Sequence, residues 1–132
     1  KQYDNGIQDC HSAIQINPAY ESAYMTLGEL YVQQEKYTSA TDTMTELLKI
    51  KPTYTDAYVF RGLVYLKQDA IKEAFRDITK ALKLSPDNAQ AYKIRGIYYL
   101  KNRKRAAESF QKAHELDPEA EDIIRFLNEM RE

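Results

Sequence analysis

Residues 52–65 read PTYTDAYVFRGLVY, and this stretch decides the fold. The segment 18–31, 34 residues earlier, reads PAYESAYMTLGELY, and 86–99, 34 residues later, reads PDNAQAYKIRGIYY. A fourth proline, Pro118, follows after 32 residues. A fixed period of this size marks a repeat architecture. Tyr58, Arg61, Gly62 and Tyr65 stand at i, i+3, i+4 and i+7, one face of a helix. Tyr24, Leu27, Gly28 and Tyr31 hold the same places, as do Tyr92, Arg95, Gly96 and Tyr99.

Downstream, each copy carries a second helical stripe. Ala40, Ala74 and Ala106 are followed four residues later by Met44, Ile78 and Phe110, then by Leu47, Ala81 and Ala113. Small residues on facing helices permit close backbone approach, and large neighbours fill the gaps beside them. Each proline stops the second helix, because it lacks an N–H and disfavours helix at the residue before it. Asp87 and Asn88 are candidates to cap the helix that follows. Helices are expected over roughly 2–16, 20–34, 37–50, 54–68, 71–84, 88–101, 103–116 and 119–131.

Together these slots resemble the tetratricopeptide repeat across nearly the whole chain. Tyr takes the place of the family's usual Trp in all three units, and Arg replaces Leu at Arg61 and Arg95. The resemblance implies an all-α fold: antiparallel helical hairpins stacked into a right-handed superhelix, an α-solenoid. Residues 1–20 then form the second half of a truncated unit, with Gly6, Cys10, Ala13 and Pro18 in its slots. Three repeats follow, at 21–54, 55–88 and 89–118, the last shortened by two residues in the turn near Asn102. Residues 119–132 make a closing helix, with Ile123, Phe126, Leu127 and Met130 inward and Glu121, Asp122 and Glu129 outward. With no partner helix before it, the face of Tyr3, Ile7, Cys10 and Ile14 is expected to be open, a route to self-association through residues 3–14.

Composition excludes other classes. A net charge of −1 gives no general attraction to nucleic acid or anionic membrane. No apolar run is long enough to insert across a bilayer. The single cysteine, Cys10, excludes an internal disulfide framework and suits a reducing compartment such as the cytoplasm.

No catalytic residue, cofactor or metal site is expected. Cys10 falls in the core slot of Met44, Ile78 and Phe110, so the adjacent His11 points elsewhere. Glu119 and Glu121 read as solvent-facing, and no phosphate loop, nucleophile elbow or zinc motif occurs. The basic run 101–105 reads as a turn whose positive charge suits the end of a helix. Inward Arg61 and Arg95 each need a polar partner, and Asp77, between them, is the candidate.

What the chain offers is a surface for another protein or a peptide. In the family, first helices line a concave groove. Some members clamp a chaperone's terminal carboxylate there with Lys, Asn and Arg, but the matching positions here hold Met25, Glu29, Phe60, Gln90 and Ile94. The groove-facing residues of the three units include Met25, Glu29 and Val32, then Val59, Leu63, Leu66 and Lys67, then Lys93, Ile97, Leu100 and Lys101. The helix over 54–68 is apolar all round, so it is either covered by its neighbours or has something to bind. In the second case Val59, Leu63, Leu66, Ile97 and Leu100 form an apolar floor bordered by Lys67, Lys93 and Lys101.

Overall fold

A computed structural model describes residues 2–100 and 103–131. Among them are eight α-helices and no strand: α1 (Gln2–Ile16), α2 (Glu21–Gln33), α3 (Tyr37–Ile50), α4 (Thr55–Lys67), α5 (Ile71–Leu84), α6 (Ala89–Tyr98), α7 (Arg103–Leu116) and α8 (Glu121–Arg131). Each helix packs on the next in sequence, and α4 also touches α6. The chain is therefore an α-solenoid, whose units contact only their neighbours.

The core is built from the repeated slots. Ala40, Ala74 and Ala106 are fully buried, as are Met44, Ile78 and Phe110 and then Leu47, Ala81 and Ala113. Cys10 joins them in the slot its spacing implies. The glycines are opposed chiefly by the large residue of that set. A methyl group on Gly96 would lie 2.6 Å from the Phe110 ring, and one on Gly28 2.9 Å from the end of Met44. At Gly62 the nearest atom is Ile78 Cγ1 at 3.3 Å, with the Ala74 carbonyl at 3.6 Å. The close approach is thus a side chain lying on the glycine in all three units.

The phenols explain why tyrosine suits the aromatic slot. Tyr24, Tyr58 and Tyr92 donate to the carbonyls of Pro18, Pro52 and Pro86 at 3.1, 2.9 and 3.0 Å. Each hydroxyl ties a first helix to the turn that introduces it. Only Asn88 of the two proposed caps acts, its Oδ1 accepting from the Ala91 N–H at 2.9 Å; Asp87 is exposed.

Two of the turns inside the hairpins are alike. Glu35 and Asp69 both have φ of 59°, the left-handed region that a helix end favours. In each, the next N–H reaches back to a helix carbonyl, Lys36 to Tyr31 and Ala70 to Tyr65, both at 2.8 Å. The fourth unit departs from this pattern. Its α6 ends at Tyr98, whereas α2 and α4 run to Gln33 and Lys67. The shortening expected near Asn102 therefore falls on the last turn of α6, and Tyr99, expected within the helix, caps its end.

Candidate binding surface

Arg61 turns inward and is held on both sides of its guanidinium. Its Nε and Nη2 donate to Asp77 Oδ2 and Oδ1, both at 2.7 Å, and Nη1 donates to Thr45 Oγ1 at 2.9 Å. Asp77, with the hydrogen bond it accepts, raises the Arg61 pKa further above its ordinary value. The expected partnership with Asp77 is thus Arg61's alone. Arg95 instead donates from Nε to Ser109 Oγ at 3.0 Å and lies 4.7 Å from the Tyr92 ring centre.

The apolar residues of α4 divide between core and surface. Val59, expected on the groove face, is buried with Ile78, Ala81, Ala91 and Ile94, because α6 closes over that side of α4. Leu63 and Leu66 are half-buried against the same cluster. The helix that is apolar all round is therefore largely covered by its neighbours. One end of this face stays open. Leu66, Ile97 and Leu100 line an open cleft of about 480 Å³ with Asp69, Ile71, Tyr98 and Tyr99. Leu100, Ile71 and nearby Phe75 are 40–42% exposed, and Phe75 stacks on Tyr98 with centroids 5.2 Å apart.

The early end of α6 helps to make this cleft. Tyr98 closes the helix, and Tyr99 and Leu100 leave it in a turn beside the start of α5. Ile71, Phe75 and Tyr98 were not anticipated as surface features. A signal does exist in the sequence: Phe75 sits next to Ala74, which takes the inward slot, so a bulky apolar group is left on the outer side of α5.

The other groove candidates are scattered. Met25 packs on the cluster around Met44 and Leu47; Val32 is half-buried; Glu29 and Lys67 are exposed. Lys93 does not border the cleft as a free charge, because its Nζ donates to Asp122 Oδ2 at 2.8 Å. That bond holds the Asp122 carboxyl below its ordinary pKa, and Asp122 is half-buried where an outward position was expected. Lys101 and Asn102 lie outside the described residues. Of the remaining basic run, Arg103 donates to the Met130 and Glu129 carbonyls at 2.8 and 3.3 Å, closing the end of α8, and Arg105 lies over Tyr99 at 5.5 Å.

At the other end of the stack, α1 is more covered than expected. Cys10 is buried, and Ile7 and Ile14 are half-buried, while Tyr3 and Ile16 are exposed. Burial pushes the Cys10 thiol above its ordinary pKa, the reverse of what a nucleophile needs. His11 is exposed. Among the described residues no group of three or more His, Cys, Asp or Glu side chains could hold a metal, and no helix is long and apolar enough to cross a membrane.

Two family profiles described as tetratricopeptide repeat match residues 1–64 and 55–88. The chain belongs to the tetratricopeptide repeat family, whose domains serve as protein–protein interaction scaffolds and are generally not enzymes. No curated protein matches the sequence. Among solved structures, a thermophilic tetratricopeptide repeat protein of Thermus thermophilus is similar with a TM-score of 0.85 at 20% identity, covering 97% of this chain and 72% of its own. The tetratricopeptide repeat domain of Arabidopsis OM64 has a TM-score of 0.76 at 24% identity, covering 83% of this chain and 93% of that domain. The first such domain of Spaghetti (RPAP3), bound to the HSP90 peptide SRMEEVD, has a TM-score of 0.74 at 23% identity, covering 82% of this chain and 87% of that one. Likeness at these identities establishes the fold.

Proposed function

We propose that this segment binds a peptide of a partner protein in the surface that begins at Leu63 and opens at Leu66, Ile97 and Leu100. The peptide is extended or helical and carries apolar anchors. The observation behind this reading is the open cleft of about 480 Å³ in which Leu66, Ile97 and Leu100 meet Ile71, Tyr98 and Tyr99. Apolar side chains with aromatic neighbours, gathered in a concavity, are what a peptide anchor fills. Lys67, exposed at the end of α4, favours acidic residues beside those anchors. The peptide-bound Spaghetti domain lends general support, since a related fold holds a peptide. The contacts must differ, because Met25, Glu29, Phe60, Gln90 and Ile94 provide no carboxylate clamp.

The test is selection of peptides from a displayed library on the intact chain, followed by Leu66→Glu and Leu100→Glu. Val59 is unsuited, being core. Each change is expected to weaken selected peptides by about tenfold or more, the value of one anchor at roughly 1.4 kcal/mol, with helicity unchanged. Unaltered affinity in both variants contradicts the proposal. A second reading, self-association through residues 3–14, draws on the exposed Tyr3 ring. Light scattering over a concentration series tests it, and monomer mass throughout contradicts it.

A further inference from the structure

Arg61 and Arg95 hold the same slot in successive units, yet only one has a carboxylate. The position that carries Asp77 in the third unit carries Thr43 in the second and, after the two-residue shortening, Ser109 in the fourth. In the second unit the arginine is absent too, and Leu27 and Thr43, both buried, hold the two positions. The fourth unit keeps the cation and loses the anion. Ser109 offers Arg95 one hydroxyl at 3.0 Å, and Tyr92 offers a ring face at 4.7 Å. Among the described residues no carboxylate pairs with Arg95. A guanidinium has five N–H donors in a fork that matches a carboxylate, so most of this one's capacity is unused.

Arg95 also lines a cleft, of about 320 Å³, with Phe75, Thr79, Leu82, Lys83 and Tyr99. Lys83 adds a second positive charge. Thr79 is the repeat counterpart of Thr45, the hydroxyl that completes the contacts of Arg61. Phe75, Leu82 and Tyr99 supply apolar walls. This cleft shares only Tyr99 with the one described above, and it lies between the second helix of one unit and the first helix of the next.

We infer that the Arg95 cleft receives an Asp or Glu side chain from a protein partner, with an apolar residue beside it. The partner's carboxylate supplies the ion pair that Asp77 supplies to Arg61 within the chain. Charge complementarity selects the acid, and Phe75, Leu82 and Tyr99 offer the neighbouring apolar residue a surface to pack on. The site is distinct from the groove cleft, since Arg95, Thr79 and Lys83 line no part of that cleft and Tyr99 alone is common to both.

Arginine Nε–H resonances of the nitrogen-15-labelled chain provide the test. Arg95→Leu identifies the Arg95 signal and is tolerated by the slot, since Leu27 occupies it in the second unit. The probes are acetyl-Leu-Glu-Leu-amide, its Gln analogue and inorganic phosphate. The acidic peptide is expected to move the Arg95 signal saturably, about tenfold more tightly than the Gln analogue, while Arg61 stays in place. Ser109→Asp restores the missing partner, so it is expected to raise the melting temperature and abolish the response; Leu66→Glu is expected to leave it intact. Equal binding of the Gln analogue, an equal response to phosphate, or an undiminished response in a folded Ser109→Asp variant would each overturn the inference.

Discussion

At the scale of single residues, the repeat supplies its own controls. Arg61 and Asp77 are substantially buried, with side chains 17% and 4% exposed, so removing one member strands the other's charge or hydrogen-bonding capacity. Asp77→Asn is expected to destabilise by about 2–4 kcal/mol, whereas Arg61→Leu with Asp77→Thr, the pairing of Leu27 and Thr43, stays within about 1 kcal/mol of the parent. Denaturant unfolding decides it, and equal losses in the two variants would contradict the account. The glycines make a second series. At Gly96 an added methyl meets a ring at 2.6 Å, so overpacking exceeds the helix propensity gained and Gly96→Ala is expected to lose about 1–2 kcal/mol. At Gly62, where the nearest contact is 3.3 Å, Gly62→Ala is expected to fall within about 1 kcal/mol of zero. Thermal melting gives the order, and the reverse order would show that the Phe110 contact is misassigned. The sequence made the glycine slots legible. It could not show that they face a large side chain rather than an alanine, since that depends on how two helices cross.

At the scale of elements, the helices were legible because apolar period and proline spacing agree. Seven of the eight match their expected spans to within about two residues at either end, the tolerance of such readings. The exception, α6, shows the limit of counting. Two missing residues can come from a turn or from a helix, and repeat alignment alone does not choose between them. The turns at Glu35 and Asp69 hold ordinary residues in a left-handed conformation. Such a conformation costs a residue with a Cβ about 1–2 kcal/mol, and glycine's extra chain entropy offsets part of the relief. Glu35→Gly and Asp69→Gly are therefore each expected to stabilise by about 0.5–1 kcal/mol, measured by chemical denaturation. The end helix responds to pH. Asp122, with its pKa lowered by the Lys93 hydrogen bond, contributes stability that is full above about pH 5. That contribution is lost as the pH falls through the ordinary Asp value of about 3.9 and on through the lower folded-state value. Amide exchange is expected to quicken in α8 as the pH falls through this range, after correction for the intrinsic pH dependence, and to do so less in Asp122→Asn.

At the scale of the whole molecule, the solenoid was fully legible, and which apolar residues of its first helices stay exposed was only partly so. Val59 and Leu100 illustrate why. Both are apolar residues on first helices or their ends, but α6 covers Val59, while the early stop of α6 leaves Leu100 in the open. Whether a repeated position is core or surface depends on the neighbouring unit, which a stripe on one helix does not encode. Lys93 makes the same point, since its partner Asp122 comes from α8, 29 residues away. The basic run is absorbed similarly, with Arg103 closing α8. The most direct test of the central claim is amide exchange of the intact chain with and without a library-selected peptide. The account predicts slowed exchange at residues 66–71 and 94–100, where the cleft would be occupied, with α1 unchanged. Slowed exchange confined to α1 and α2, or none anywhere under saturating peptide, would contradict it.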